Sequence, residues 1–429
     1  MVQRTKVFVG NIVHCNKPFT VQTLEKGFVV VNEKGKIIAV DNLSALDSCK
    51  DKLGSFEEIL LNDNQLLMPG FVDTHFHAPQ YPNAGLGYDK PLLDWLQTYT
   101  YPLEKKYSDT EFAKTVYDAV VKRTLAAGST TVSYFATLHL DSSLLLAEAA
   151  IKFGQRAFIG KVNMTELAPP DYVESPEDTI SNTLEFIHKL VAKKCHLVQP
   201  IVTPRFALSL DLNDLNKLGQ IANKFDLNIQ SHISENKAEV EMVRDKFDDL
   251  LYAEVYDKTS LLTNKTVLAH AIYLTDSEIE LLAERSTSVS HCPDSNTCLK
   301  SGLCDVKKLL KAGVNVGLGT DISGGYSTSI MNAMRSAVAV STHVSFERED
   351  YDPLNVYDVF YLATMGGAKA LALNHKIGNF EIGKEFDAIV GEVQECFHPH
   401  TALELLQKFI YTGDDRNVLQ VYVCGKRVK

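Results

Sequence analysis

The middle of the chain alternates short apolar runs with longer stretches in which apolar positions recur at a helical period. Short apolar runs between loop residues are typical of buried strands, and the longer stretches are typical of amphipathic helices. The runs lie at 66–72, 130–135, 156–162, 197–202, 227–232, 266–270, 287–291 and 315–321. Eight such units predict an α/β fold, a distorted (β/α)8 barrel of the TIM type. Doubly wound sheets alternate in the same way, so this pattern alone leaves that fold open.

Two capping signals place helices between the predicted strands. Ser-Asp-Thr-Glu at 108–111 predicts a helix start, and the helix should end near Ala127 and Gly128. Thr-Asp-Ser-Glu at 275–278 predicts a second start of the same kind. A third helix is expected from about residue 144 to Phe153, ended by Gly154.

The two ends of the chain have a different pattern, rich in short β-type runs. Residues 28–31 and 36–40 flank Asn-Glu-Lys-Gly, which predicts a hairpin with glycine at its turn. Similar runs occur at 377–390 and 418–426. We therefore predict one small β domain from residues 1–68 and 376–429, and a barrel from 69–375.

Composition narrows the classes of partner. The chain has 429 residues, of which 45% are hydrophobic and 23% charged, with a net charge of −11. An acidic chain (pI about 5.7) argues against nucleic-acid or anionic-membrane binding, so a small-molecule substrate is expected. No apolar stretch is long enough for a membrane span, and the first residues lack a secretory signal pattern. We expect a cytoplasmic protein whose eight cysteines are reduced.

Polar side chains stand at the ends of several predicted strands. His75 and His77 are two residues apart, so on an extended backbone both imidazoles point to the same side. His232, His270 and Asp321 end three later strands. Strand ends converge at the mouth of a barrel, and histidines with a carboxylate are the ligands of a catalytic zinc or similar metal. A single histidine at a strand end is more often a hydrogen-bonded core residue than a ligand. His139 and His291 also follow predicted strands, but neither is assigned to the metal and their roles stay open.

Other residues near these strand ends are candidates for proton transfer and substrate binding. Glu235, three residues after His232, can carry protons, although a charge capping the helix that follows is the alternative. Gln80 and the pair Arg205-Phe206 offer an amide, a guanidinium and an aromatic face, which suit a planar heterocycle. The alternative for Arg205 is a solvated loop side chain.

Five motifs together resemble the amidohydrolase superfamily, and within it the guanine deaminase family. They are Pro-Gly-Phe-Val-Asp-Thr-His-Phe-His-Ala-Pro-Gln-Tyr (69–81), Thr-Pro-Arg-Phe-Ala (203–207), Gln-Ser-His-Ile-Ser-Glu (230–235), His-Cys-Pro-Asp-Ser-Asn (291–296) and Gly-Leu-Gly-Thr-Asp-Ile-Ser-Gly-Gly (317–325). The likeness runs almost end to end. It implies a zinc-dependent hydrolysis of guanine to xanthine and ammonia, a homodimer, and a β-sandwich built from both termini.

The resemblance also implies a role for each matching residue. His75, His77, His232 and Asp321 would hold one zinc, and iron is a possible substitute for it. Gln80, Arg205 and Phe206 would bind the purine. On the side of the metal, the purine would also contact His77, His232, Glu235 and Asp321. Glu235 would shuttle protons, Asp321 would orient or deprotonate the water, and His270 would lie near the zinc-bound oxygen. The resemblance implies one metal, so Lys161 on the third strand is not assigned as a carboxylated ligand.

Two alternatives stay open at this stage. One is a related single-metal amidohydrolase that acts on another heterocycle, such as a triazine or S-adenosylhomocysteine. The other is a non-catalytic amidohydrolase-like binding or assembly protein, which would have lost metal ligands. The H-x-E and P-C-x-x-C signatures of deaminases that edit nucleic acid are absent from the sequence.

Overall fold

The computed structural model of the protein describes residues 4–394 and 396–429. Residues 1–3 and 395, which the predicted terminal domain includes, lie outside this description. Within it the chain forms two sheets, one from the middle of the sequence and one from both ends. No helix in these residues is long and apolar enough to cross a membrane.

The sheet of the middle region is a parallel barrel surrounded by helices. Its strands follow each other in chain order around the barrel. Strands β1–β5 belong to the terminal sheet, and the barrel strands are β6 (Phe71–His77), β7 (Ser129–Phe135), β8 (Arg156–Gly160), β9 (Val162–Asn163), β10 (Val198–Pro204), β11 (Asn228–Ile233), β12 (Thr266–His270), β13 (Ser288–His291) and β14 (Val316–Leu318). Nearly every position of these strands is buried, as expected for a parallel sheet covered on both faces. The prediction of a (β/α)8 barrel is confirmed.

The barrel closes between its first and last strands through side-chain hydrogen bonds. The hydroxyl of Thr74 on β6 donates to the carbonyl of Leu318 on β14 at 2.9 Å. Just beyond β14, the backbone N–H of Thr320 donates to the carboxylate of Asp73 at 3.1 Å. This seam fixes the end of β6, where His75 and His77 stand, against the loop that carries Asp321.

The helices alternate with the barrel strands except at the two ends of the chain. Their bounds are α1 (Leu46–Lys50), α2 (Leu92–Trp95), α3 (Tyr101–Glu104), α4 (Thr110–Ala126), α5 (Leu140–Phe153), α6 (Pro176–Ala192), α7 (Leu212–Phe225), α8 (Lys237–Lys246), α9 (Tyr252–Lys258), α10 (Asp276–Glu284), α11 (Pro293–Cys298), α12 (Val306–Lys311), α13 (Ile330–Phe346), α14 (Val356–Tyr361), α15 (Gly367–Ala370) and α16 (Ala402–Thr412). Short 3-10 or π turns extend several of them, including Ala78–Asn83 after β6 and Ala207–Ser209 after β10.

One predicted helix cap is correct and the other is shifted by one residue. Thr275 caps α10 in the predicted capping box with Glu278. The cap of α4 is Asp109, whose side chain accepts from the N–H groups of Glu111 and Phe112, so Ser108 is wrong as the cap. The hydroxyl of Ser108 instead donates to the carbonyl of Lys105 and closes the preceding turn.

The terminal sheet combines strands from both ends of the chain. Its strands are β1 (Thr5–Lys17), β2 (Thr20–Val31), β3 (Ile37–Asn42), β4 (Phe56–Leu60), β5 (Gln65–Pro69), β15 (Ala388–Glu392), β16 (Val418–Val423) and β17 (Lys426–Arg427). The predicted hairpin is confirmed as β2 and β3. At its turn Gly35 has φ of +75°, and a Cβ there would lie 2.0 Å from the carbonyl oxygen of Cys424.

The predicted strand at 66–72 is two strands in two sheets, so a single strand there is wrong. Gly70 separates them: β5 before it pairs with β15 of the terminal sheet, and β6 after it pairs with β7 of the barrel. A Cβ on residue 70 would lie 2.1 Å from the hydroxyl of Thr130, so the close approach of β7 requires glycine. The sequence pattern does not reveal this change of sheet, because both strands are buried and the residues on both sides of Gly70 are therefore apolar.

A buried ion-pair network connects the terminal sheet to the barrel. Arg156 at the start of β8 donates from Nε to Asp387 at 2.9 Å and from Nη2 to Glu385 at 2.8 Å. Asp387 immediately precedes β15, and Glu385 lies two residues before Asp387. The side chain of Arg156 is 4% exposed, so these bonds form away from solvent.

Candidate active site

The polar strand ends predicted from the sequence meet at one mouth of the barrel. Nε2 of His75 lies 3.2 Å from Oδ1 of Asp321, and Nε2 of His77 lies 3.6 Å from the same oxygen. Nε2 of His232 is 3.0 Å from Nε2 of His77. His270, at the end of β12, has its Nε2 3.8 Å from Oδ2 of Asp321. All five side chains are buried or nearly so.

Burial and the neighbouring side chains together set the protonation states of these groups. It lowers the pKa of His75, and it lowers the pKa of His77 and His232 well below the usual histidine value. Burial alone would raise the pKa of Asp321, but His75 and His270 beside it hold that pKa well below its usual range. Neutral imidazoles with an ionised carboxylate are the states in which these residues bind a divalent metal.

The orientation of the rings also fits a metal. The carbonyl oxygen of Arg205 accepts from Nδ1 of His232, so Nδ1 carries the proton and Nε2 of the neutral ring presents a lone pair. That lone pair faces Nε2 of His77, and at most one proton can lie between them. The buried Nε2 of His75 makes no hydrogen bond to any described residue. Nitrogen donors with one carboxylate, and no thiolate, are the donor set of a catalytic metal centre.

The backbone at two of these positions adopts an uncommon conformation. His270 has φ of 77° and Asp321 has φ of 47°, both in the left-handed region. Non-glycine residues rarely adopt this region without a structural reason, and such residues cluster at functional sites. His270 is the last residue of β12 and Asp321 lies in the turn that follows β14, so both unusual conformations occur where a strand gives way to a loop.

Glu235 lies beside this cluster and does not cap a helix. Its Oε2 is 3.4 Å from Nε2 of His270, and its Oε1 accepts from the hydroxyl of Ser301 at 3.1 Å. Burial raises the pKa of Glu235 to about 7. The cap of α8 is Asn236, assisted by Glu239, so the capping alternative for Glu235 is wrong.

His270 is held in place by a residue that the sequence did not single out. Its Nδ1–H donates to Oδ1 of Asn296 at 2.8 Å, which leaves Nε2 directed at Glu235 and Asp321. Burial alone would lower the pKa of His270, but these two carboxylates raise it. Asn296 is in the His-Cys-Pro-Asp-Ser-Asn motif, where an asparagine on a short helix gave no sign of this contact.

A pocket opens from the cluster toward the substrate-binding candidates. Gln80, Arg205 and Phe206 line it together with His77, His232, Glu235, His270 and Asp321. The side chain of Arg205 is 4% exposed, so it is not a solvated loop residue. The apolar wall is formed by Leu92, Leu93, Trp95, Leu96 and Leu299, which the sequence reasoning missed because their apolar spacing does not differ from that of core residues.

A buried carboxylate that the sequence also did not indicate joins the two polar substrate-binding candidates. Glu104 accepts from Nη1 of Arg205 at 2.7 Å and from Nε2 of Gln80 at 2.9 Å. In the sequence Glu104 precedes two lysines, a pattern typical of a solvated helix surface. In the fold it is fully buried.

The residues left unassigned from the sequence lie outside this cluster. Nδ1 of His139 is 2.9 Å from the hydroxyl of Thr137. Lys161 pairs with Glu174 at 2.6 Å and not with the histidines. His291 is buried at the end of β13, and neither ring nitrogen bonds to a residue that the structure describes. All eight cysteines are described, and each is free.

Comparisons with known proteins agree with this architecture. The sequence profile of the Amidohydrolase family matches residues 66–428, and the chain belongs to this family. Relatives in Dictyostelium discoideum and Homo sapiens, both named guanine deaminase, are each 44% identical to it. These alignments cover 99% and 98% of this chain, and 98% and 96% of the relatives. The crystal structure of guanine deaminase from C. acetobutylicum with bound guanine has a TM-score of 0.93, with 36% identity, 99% of this chain and 100% of that chain covered.

Proposed function

We propose that the protein is a guanine deaminase, which hydrolyses guanine to xanthine and ammonia. The observation that carries the proposal is the placement of Arg205, Gln80 and Phe206 in one buried pocket with the histidine and aspartate cluster. The relatives named guanine deaminase, and the similar fold that binds guanine, support the same substrate.

The metal in this proposal is one zinc ion per chain. His75, His77, His232 and Asp321 would hold it, because their nitrogen and oxygen atoms converge and their pKa shifts favour the metal-binding protonation states. When bound, zinc supplies the acidity that lets water act as a nucleophile near neutral pH.

Glu235 performs the proton transfers in the proposed reaction. Because its pKa is raised to about 7, both of its protonation states are populated near neutral pH. Its protonated form gives a proton to ring N3 of guanine, which makes C2 electrophilic. The resulting carboxylate takes the remaining proton of the attacking oxygen and passes it to the departing amine, and the bond from C2 to that amine breaks as the C2 carbonyl forms. The proton that Asp321 accepted from the water returns to Glu235 and restores it for the next turnover. Asp321 orients the attacking water and accepts its proton. His270 directs Nε2 at the same space and donates to the oxygen that attacks C2.

Substrate choice in this proposal depends on hydrogen-bond donors. Guanine presents a carbonyl oxygen at C6, where adenine presents an amine. The N–H groups of Arg205 and Gln80 can hydrogen-bond to an acceptor at that position, whereas a donor there would leave them without a partner. Phe206 lines the pocket in an extended backbone conformation and offers its ring to the base.

We propose a homodimer in the cytoplasm, with a β-sandwich domain of residues 1–68 and 376–429 on a barrel of 69–375. Free cysteines suit a reducing compartment. Light scattering of the purified protein measures the oligomeric state, and a monomeric mass would remove the dimer from the proposal.

The decisive experiment mixes the purified, metal-analysed protein with guanine and follows xanthine and ammonia. We expect one xanthine and one ammonia for each guanine consumed, and close to one zinc ion per chain. A panel containing adenine, S-adenosylhomocysteine and an aminotriazine tests the rival heterocycles. Turnover of one of these without turnover of guanine would overturn the proposed substrate, and a metal-loaded protein inert toward all of them would favour a binding or assembly role.

A further inference from the structure

The carboxylate of Glu104 accepts four hydrogen bonds, and two of its three partners, Gln80 and Arg205, line the pocket. Oε1 accepts from Nε2 of Gln80 at 2.9 Å and from Nη2 of Arg205 at 3.2 Å. Oε2 accepts from Nη1 of Arg205 at 2.7 Å and from the hydroxyl of Tyr172 at 2.8 Å. We propose that Glu104 is the positioning residue that aims Arg205 and Gln80, and that its charge makes the pocket select a neutral purine over an anionic one.

The number of bonds excludes a direct role in the chemistry. A carboxylate has about four acceptor positions, and all of those on Glu104 are used by protein donors. Glu104 therefore has no acceptor position left for substrate. It acts through the two side chains that it holds.

These bonds determine what Gln80 and Arg205 present to a ligand. One N–H of the Gln80 amide is fixed on Glu104, which orients the amide so that its second N–H remains available. The paired contacts with Nη1 and Nη2 fix the plane of the guanidinium and use two of its five N–H groups. Tyr101 supports the same plane, with its ring centroid 5.2 Å from Cζ of Arg205. The polar wall thus offers N–H donors in fixed directions.

The charge of Glu104 has a separate consequence. It balances the positive charge of Arg205 inside a buried wall, so the pair as a whole has little attraction for an anion. The other titratable groups facing Glu104 are uncharged near neutral pH, because burial raises the pKa of Tyr101, Tyr107, Tyr117 and Tyr172 and lowers that of His139. Without Glu104 the wall would carry an uncompensated guanidinium.

This balance matters because the substrate and product of the proposed function differ in acidity. Guanine is neutral near neutral pH, whereas xanthine has an N–H between two ring carbonyls and loses a proton much more readily. A charge-balanced wall binds the neutral substrate through directed donors and gives the ionised product no extra attraction. A lone guanidinium would hold that product by charge and slow its release.

Three variants of the metal-loaded protein separate charge from packing. Glu104→Gln removes the charge but keeps the size, Glu104→Asp keeps the charge but shortens the side chain, and Glu278→Gln removes a buried carboxylate that lies outside the pocket. All three, and the reference protein with wild-type Glu104 and Glu278, also carry Glu235→Gln so that guanine is not consumed during a titration. Affinity for guanine and for xanthine is measured by fluorescence of Trp95, which lines the pocket and is the only tryptophan of the chain. Each titration is made at one pH below the pKa of xanthine, where xanthine is neutral, and at one pH above it, where xanthine is anionic.

We expect Glu104→Gln to raise the xanthine-to-guanine affinity ratio by ~10-fold or more when xanthine is anionic, with a smaller change when it is neutral. Glu104→Asp should weaken guanine binding but keep the wild-type ratio, and Glu278→Gln should leave both affinities unchanged. An unchanged ratio in Glu104→Gln would overturn the charge role, and unchanged guanine affinity in both Glu104 variants would overturn the positioning role. If Glu104→Gln does not fold, loss of the wild-type ratio in Glu104→Asp contradicts the proposal. Failure of the proposed function gives a different result, because the reference protein with wild-type Glu104 would then bind neither purine.

Discussion

The two sides of the pocket are built by different parts of the fold. The metal side, defined by His75, His77, His232 and Asp321, lies at strand ends and in the turn just after β14. The base side, defined by Gln80, Glu104, Arg205 and Phe206, lies on short helical turns and loops. Barrel closure places the metal side, whereas a hydrogen-bond network between loops places the base side. The residues for the reaction and the residues for substrate choice are thus positioned by different parts of the fold. Substitutions on the metal side and on the base side should therefore have different effects.

The largest effect is expected on the metal side. Asp321→Ala, or removal of the metal with a chelator, should lower guanine turnover by more than ~10⁴-fold, because free water has a pKa of ~15.7 and activated water ~7. The fold should be retained, since Asp321 lies at the mouth and not in the barrel core. Activity, metal content by mass spectrometry and circular dichroism measure these outcomes.

Zinc added back should restore the chelated wild type but not Asp321→Ala. His77→Ala should behave in the same way as Asp321→Ala. Undiminished deamination by a metal-free sample would show that the metal side has no part in the chemistry.

The next largest effect is expected at Glu235, between the two sides. Glu235→Gln keeps the size of the side chain but cannot exchange a proton, so turnover should fall by ~10²–10⁴-fold with zinc content unchanged. Glu241→Gln, on the exposed surface of α8, is the matched control and should keep wild-type turnover. Steady-state kinetics and metal analysis of both variants provide the test. If Glu235→Gln keeps more than about a tenth of wild-type turnover, another group transfers the proton.

A smaller and more selective effect is expected on the base side. Arg205→Ala should lower kcat/KM for guanine by ~10²-fold, the value of a lost charged hydrogen bond, while zinc content stays normal. Arg205→Lys should recover only part of this, because a point charge does not reproduce the planar fork held by Glu104. Phe206→Ala should cost ~10-fold or less.

Comparison of guanine, adenine and 8-azaguanine across these variants measures the specificity. The wild type should reject adenine by ~10⁴–10⁵-fold, since a donor would face buried donors. Wild-type turnover of guanine by Arg205→Ala would mean that the base side does not read the purine as proposed.

The same division explains what the sequence could predict. The placement of His75 and His77 on one side follows from the two-residue period of a strand, and strand ends of a barrel meet by topology. Glu104 could not be found in this way, because its partners Gln80, Arg205 and Tyr172 are distant in sequence and converge only after folding. Asn296 was missed for the same reason. The break at Gly70 has the same cause, because it depends on the close approach of Thr130, which is distant in sequence. The cap at Asp109 shows a more local limit, since Ser108 bonds to Lys105 instead of capping the helix.

The smallest effect is expected away from both sides, at the junction of the terminal sheet and the barrel. Burial alone would raise the pKa of Glu385, but Arg156 and Lys36 beside it lower that pKa below its usual value. A carboxyl group whose pKa is lowered by folding contributes stability above its unfolded pKa of ~4.3, and this contribution is lost as the pH falls through the folded pKa. Glu385→Gln should therefore lower the free energy of unfolding by ~1 kcal/mol at neutral pH. The difference from the wild type should shrink below pH ~4, where the wild-type carboxyl also becomes protonated.

Denaturant unfolding of the wild type, Glu385→Gln and the exposed control Glu349→Gln at several pH values measures this difference. Guanine turnover should be unchanged in both variants, because Glu385 is not among the residues that line the pocket. A stability difference that does not depend on pH would assign the effect to packing and not to charge. A loss of turnover in Glu385→Gln with stability unchanged would show that the junction is coupled to the pocket, and the separation of the metal and base sides from the rest of the fold would then have to be revised.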